Sequence, residues 1–164
     1  MTPLHIVMTV VGGALMLFAL VIMLWPRWVA APLPAFIGFL LLHYSTAIFI
    51  PSNVLLFWGV ATVFVVILRS LLPKGEPDGS SVSNRYIGLS AIAGALAGMA
   101  IDPRVMIAAL ILGAIVGAMA YSKTPRGRWL AFPSTTFWQF TGAKGFPAVI
   151  TTAQAAITIQ GLIA

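Results

Sequence analysis

The sequence predicts an all-α polytopic transmembrane helix bundle of five or six spans, forming one domain over residues 1–164. Three observations carry that expectation. Of the 164 residues, 60% are hydrophobic and 7% are charged, against roughly 25% charged in soluble domains. A mean hydropathy of +1.04 leaves too little polar surface to face water. Residues 86–122 carry small side chains every fourth position: Ser90, Gly94, Gly98, then Ala109, Gly113, Gly117. Residues four apart share a helix face. In a bilayer, where the helix is already enforced, such strips let two backbones approach closely.

Taken in order, the first span covers about residues 4–25 and ends at Pro26-Arg27, flanked by Trp25 and Trp28 as interfacial aromatics. It lacks a basic leader region and a small-residue cleavage site, so it reads as a retained span. Pro32 and Pro34 are expected to keep the following turn non-helical, because proline removes donors and pushes its predecessor extended. The second span then covers 35–50 and contains His43, Tyr44, Ser45 and Thr46. Pro51-Ser52-Asn53 makes the next turn. The third span, 54–72, is dense in Val, Phe and Leu and reads as lipid-facing throughout, Thr62 included.

Residues 73–85, PKGEPDGSSVSNR, form a hydrophilic loop. Spans four (86–101) and five (103–121) make the tight hairpin, a Gly/Ala zipper. Asp102 would cap the fifth and Pro103 would take its first position, where no amide hydrogen is needed. Segment 123–145 is basic, aromatic and broken by Pro125 and Pro133, which suits a stretch lying at the headgroups with Trp129, Phe132, Phe137 and Trp138 dipping into the boundary. The sixth span, 146–164, is threaded with Thr151, Thr152, Gln154, Thr158 and Gln160, and so needs protein against its polar side.

With six spans, eight Lys and Arg fall on one side of the membrane and Arg104 alone on the other. That bias predicts a bacterial cytoplasmic-membrane protein with both termini periplasmic. The net charge of +6 is thus topological, and no Lys/Arg cluster of the nucleic-acid-binding kind exists. Residues 26–45 and 103–122 also align without a gap, sharing Pro-Arg at the start and Tyr-Ser at the end. This is either an inverted three-plus-three repeat of the transporter kind or coincidence in an apolar alphabet.

The punctuating prolines 26, 32 and 34, the central hydrophilic loop and the pattern Ser90-x-x-x-Gly94-x-x-x-Gly98 with Gly113-Ala114-x-x-Gly117 resemble a bacterial family of small glycine-zipper membrane proteins of undefined activity. An acidic residue often follows the last zipper glycine in that family; Ala118 stands there in this chain. The resemblance implies location and architecture, and no catalytic residues.

Material for catalysis is scarce. Glu76, Asp78 and Asp102 all lie in loops or turns, so no span holds a carboxylate for acid–base work or a proton relay. There is no Cys, and His5 and His43 lack acidic partners for a metal. Neither an enzyme nor a cofactor is expected. His43 and Tyr44 form either a polar gate or an ordinary helix-end cluster. Thr151, Gln154 and Thr158 share one stripe at i, i+3, i+7, suited to a polar pathway or to interhelical hydrogen bonding. The leading expectation is a bundle acting by association in the lipid bilayer, as a homo-oligomer or with partner membrane subunits. The rival is a channel or transporter for a small neutral or anionic solute.

Overall fold

The apolar runs fold as helices whose ends are fixed by caps and prolines. The computed structural model describes residues 2–24, 31–71 and 82–163, which are all-helical, with no strand among them. Helix α1 spans Pro3–Met23, with Thr2 accepting from the His5 amide and Pro3 at the first position. Helix α2 spans Pro32–Tyr44, α3 Ser52–Leu71, α4 Val82–Met99, α5 Pro103–Ser122 and α6 Thr135–Ile163. Helices α1, α5 and α6 are long and apolar enough to cross a membrane; α2 and residues 52–68 of α3 are apolar but shorter.

Four boundaries correct the sequence reading. Helix α2 starts at Pro32 rather than at residue 35, with both prolines inside its first turn. First-turn amides have no helical partner, so proline costs nothing there. The same helix stops at Tyr44 rather than running to residue 50. Ser45 Oγ donates to the Leu42 carbonyl at 2.9 Å, and Thr46 adopts φ 64°, a left-handed conformation that reverses the chain. The expected loop 73–85 is helical from Val82, residues 73–81 lying outside the described residues.

The fourth correction is the largest. Segment 123–145 is mostly helix rather than a proline-broken stretch, and α6 begins at Thr135 instead of residue 146. Ser134 caps it, its Oγ accepting from the Phe137 amide at 3.1 Å. A single 3-10 turn, Pro125–Gly127, precedes it. Phe132 and Trp138 are exposed, but Phe137 is wholly buried. Pro147 sits inside α6 and, having no N–H, leaves the Ala143 carbonyl without its usual helical donor.

Helices pack as two hairpins, α1–α2 and α4–α5, around α6, which touches all five other helices. Helix α3 is peripheral, resting on α2 and α6. In the α4–α5 hairpin, Gly94 abuts the Ala109 carbonyl, Gly113 the Ser90 carbonyl and Gly117 the Tyr86 carbonyl. A Cβ on Gly98 would lie 2.5 Å from the Met106 Cα. Numbers rising along α4 meet numbers falling along α5, the antiparallel register that Asp102 imposes by capping α5 through the Arg104 amide at 2.8 Å. The first hairpin uses the same device: a Cβ on Gly12 would stand 3.0 Å from the Gly38 carbonyl oxygen.

The close approaches do not recur at equivalent positions of the two segments: Gly13, which precedes the first segment as Gly94 precedes the second, faces open space, whereas Gly94 packs on the α5 backbone. Pro26-Arg27, which open the first segment, lie outside the described residues. The third helices of the two halves also occupy unlike positions, α3 at the edge and α6 at the centre.

Candidate functional site

The centre of α6 gathers the polar side chains that the bundle hides. Thr151 and Gln154 are fully buried, Thr152 and Thr158 nearly so. Their partners come from α3, from α1 and from α6 itself. Gln154 Nε2 donates to Thr62 Oγ1 at 3.0 Å, and Thr62 Oγ1 donates to the Trp58 carbonyl at 2.8 Å. Thr158 Oγ1 donates to the Gln154 carbonyl at 2.9 Å, and Thr152 Oγ1 reaches the Met23 sulfur at 3.5 Å. Thr62, at 1% exposure, is therefore not lipid-facing. A hydroxyl in lipid has only its own helix to bond, whereas turned inward it accepts from Gln154.

The amide orientation follows from this chain of bonds. Thr62 has committed its one proton to the Trp58 carbonyl, so it can serve Gln154 only as an acceptor, and the group facing it must be the NH2. Gln154 Oε1 then points elsewhere, and it finds no hydrogen-bond partner. Nor does Thr151 Oγ1, one turn earlier on the same helix. Serine and threonine in helices ordinarily bond back to a carbonyl of the preceding turn; Thr158 does so and Thr151 does not. Trp129 Nε1 and Thr141 Oγ1 are likewise buried without a partner; the α6 pair differs in lying on adjacent turns, one acceptor and one hydroxyl that a single outside group or water would satisfy.

Beside this seam, α3, α5 and α6 leave a groove of about 520 Å³. Its lining comes from the N-terminal ends of α3 and α5 and the C-terminal end of α6, with Asn53 and Gln160 as polar groups among Val54, Phe57, Trp58, Met106, Ile107 and Ile157. Trp58 stands four residues before Thr62, and Ile157 three after Gln154. The groove's wall and the seam thus occupy consecutive turns of the same two helices, and Thr62, Thr151 and Gln154 lie behind that wall rather than on it.

His43 and Tyr44 lie apart from all this. His43 Nδ1 accepts from the Ile50 amide at 3.3 Å and its ring stands edge-on to Tyr44 at 5.3 Å. Tyr44 is 62% exposed. The pair seals the α2–α3 turn and does not approach the α6 stripe by any recorded bond. Of the zipper positions, Ser90, Gly94, Gly98, Ala109 and Gly113 meet one another inside the α4–α5 hairpin, and Gly117 meets Tyr86. The small residues beside them, Ala91, Ala114 and Ala118, are buried with Phe137, Phe140 and Ala148 of α6. Glu76 and Asp78 lie outside the described residues, and among the described residues no group of three His, Cys, Asp or Glu could hold a metal.

At the opposite end, Tyr121 is fully buried, stacked on Phe140 at 6.0 Å and 5.9 Å from Tyr86. Trp129 closes on Phe140 at 5.1 Å. This aromatic cluster locks α4, α5 and α6 together. Sequence reasoning missed Thr62 and Trp58, because nothing in span three distinguishes an inward threonine from an outward one. The Ser134 cap was readable, and the aromatic composition around it masked it. Comparison with family models, curated proteins and solved structures finds no match to this chain.

Proposed function

We propose that the chain is a non-enzymatic integral membrane bundle of five or six spans in the bacterial cytoplasmic membrane, with both termini periplasmic, working by association. The observation that carries this is an inside-out polarity. Leu4, Val10 and Leu17 of α1, Leu56, Val60 and Val63 of α3, and Leu112 and Val116 of α5 are exposed, while Thr62, Thr151 and Gln154 are turned in. In water such a surface would aggregate; in a bilayer it is the expected one. The resemblance to small glycine-zipper membrane proteins belongs to the same reading.

Because the zipper strips are occupied within the chain, association falls to other surfaces. Helix α3 is the natural one: it rests on two neighbours and exposes Phe57 and Phe64, large rings that give van der Waals contact without charge. Self-assembly through α3 predicts a particle of at least twice the 17.4 kDa chain mass in lipid nanodiscs or mild detergent. Phe64→Ala should shift it toward the monomer. A monomer in both media, with no crosslinked dimer in native membranes, would contradict the homo-oligomer.

A second reading, passage of a small solute, is favoured by the unpaired Gln154 and Thr151 atoms. The two lie on adjacent turns of α6, within reach of one small molecule.

A further inference from the structure

We infer that Gln154 and Thr151 form a binding site for a small neutral molecule carrying a hydrogen-bond donor beside an acceptor, a primary amide being the simplest, reached through the α3–α5–α6 groove. Gln154 Oε1 is a pure acceptor, held with its back to Thr62 by the 3.0 Å bond, so its missing partner is an N–H or O–H. Thr151 Oγ1 is free to donate, so its missing partner is a carbonyl or hydroxyl oxygen. One turn of helix separates the two, about 4.5–5 Å along the axis, which is the reach of a single small molecule offering both groups.

Charge is excluded by the same surroundings. None of the side chains lining the groove is charged, and an ion taken into such a site would lose its hydration without compensation. A carboxylate would fail for a second reason: it has no donor for Gln154. Asn53 and Gln160 at the groove offer a molecule its first hydrogen bonds, and Trp58 and Ile157 give way, one turn on, to Thr62 and Gln154. The solute-passage reading supplies the reason for such a site, but binding itself does not require passage.

The absence of cysteine from the sequence gives a clean test in nanodiscs. Thr158→Cys places a near-isosteric thiol one turn from Gln154, and Asn53→Cys reports delivery at the groove. Labelling by neutral methyl methanethiosulfonate is timed with and without acetamide, or with acetate, its charged isostere. The expected result is labelling at both positions, with acetamide slowing the Thr158→Cys reaction in a saturable way, about threefold once its concentration reaches twice its dissociation constant. Acetate should give none. Adding Gln154→Met, or separately Thr151→Val, should abolish the protection.

Labelling of Asn53→Cys alone would mean that the seam is closed packing, and would overturn the site. Labelling of Thr158→Cys that acetamide does not slow would mean water only, and would overturn it too. So would protection that survives both second-site changes. Acetamide protection without acetamide flux in proteoliposomes would remove solute passage and leave the binding site standing.

Discussion

Replacing Gly94 with leucine is expected to lower the unfolding free energy of the detergent-solubilised chain by about 2–3 kcal/mol, the scale of forcing extra carbons into a packed contact. The side chain would have to enter the space held by the Ala109 carbonyl and the Leu110 Cα. Both are backbone, so no rotamer change can yield, and the helices must separate. Gly113→Leu meets the Ser90 carbonyl in the same way and should cost as much. The control is Gly13→Leu, whose Cβ direction is open; it should change stability by less than about 0.5 kcal/mol, as substitutions away from packed features usually do. Reversible unfolding of the three variants in one detergent measures this. Equal tolerance at all three would show that the α4–α5 contact contributes nothing.

Tyr121→Ala should be at least as damaging, about 3–5 kcal/mol, the range for deleting a buried aromatic ring. The residue has no exposed surface. Its ring bridges Tyr86 of α4 and Phe140 of α6, so truncation opens a void where three helices meet. Its hydroxyl also braces the next turn, donating to the Arg126 carbonyl at 3.4 Å. Tyr121→Phe keeps the ring and the main chain, and should cost only about 0.5–1.5 kcal/mol, the net worth of a hydrogen bond. The gap between the two variants isolates packing from polarity. A Phe variant as unstable as the Ala variant would reverse that assignment.

What the sequence made legible follows from where polar residues are scarce. In lipid, the outward face is as apolar as the core, so periodicity marks helices without marking which side is buried. Helices α1, α3 and α5 were therefore readable as runs, while their inward faces were not, and Thr62 was assigned to lipid. The glycine strips were readable because their reason is backbone sterics, which is local and repeats every fourth residue. The stripe Thr151, Gln154, Thr158 was readable for the same reason, whereas its partner Thr62 lies 92 residues away and no local pattern reports it.

The hairpin at 86–122 is a tightly packed side of the bundle, and α6 is the element every other helix touches. Its polar content, which already asked for protein against that side, is what suits it to the middle, since only a helix surrounded by protein can hide Thr151, Gln154 and Thr158. Its early start was hidden by a reading of Phe137 as a headgroup residue. Three-dimensional neighbours such as Phe132 and Trp138, 5.0 and 5.2 Å away, cover that ring, and no sequence spacing announces such a cover.

The central claim is that this bundle crosses a bilayer with its basic end in the cytoplasm and its groove facing out. Single cysteines at Asn53, in the groove between α3 and α5, and at Thr136, in the exposed first turn of α6, test it in one experiment. In intact cells an impermeant maleimide should modify Asn53→Cys and spare Thr136→Cys, and in inside-out vesicles the pattern should invert. Modification of Thr136→Cys in intact cells with Asn53→Cys protected would reverse the orientation, and modification of both from one side would contradict a membrane-spanning bundle altogether.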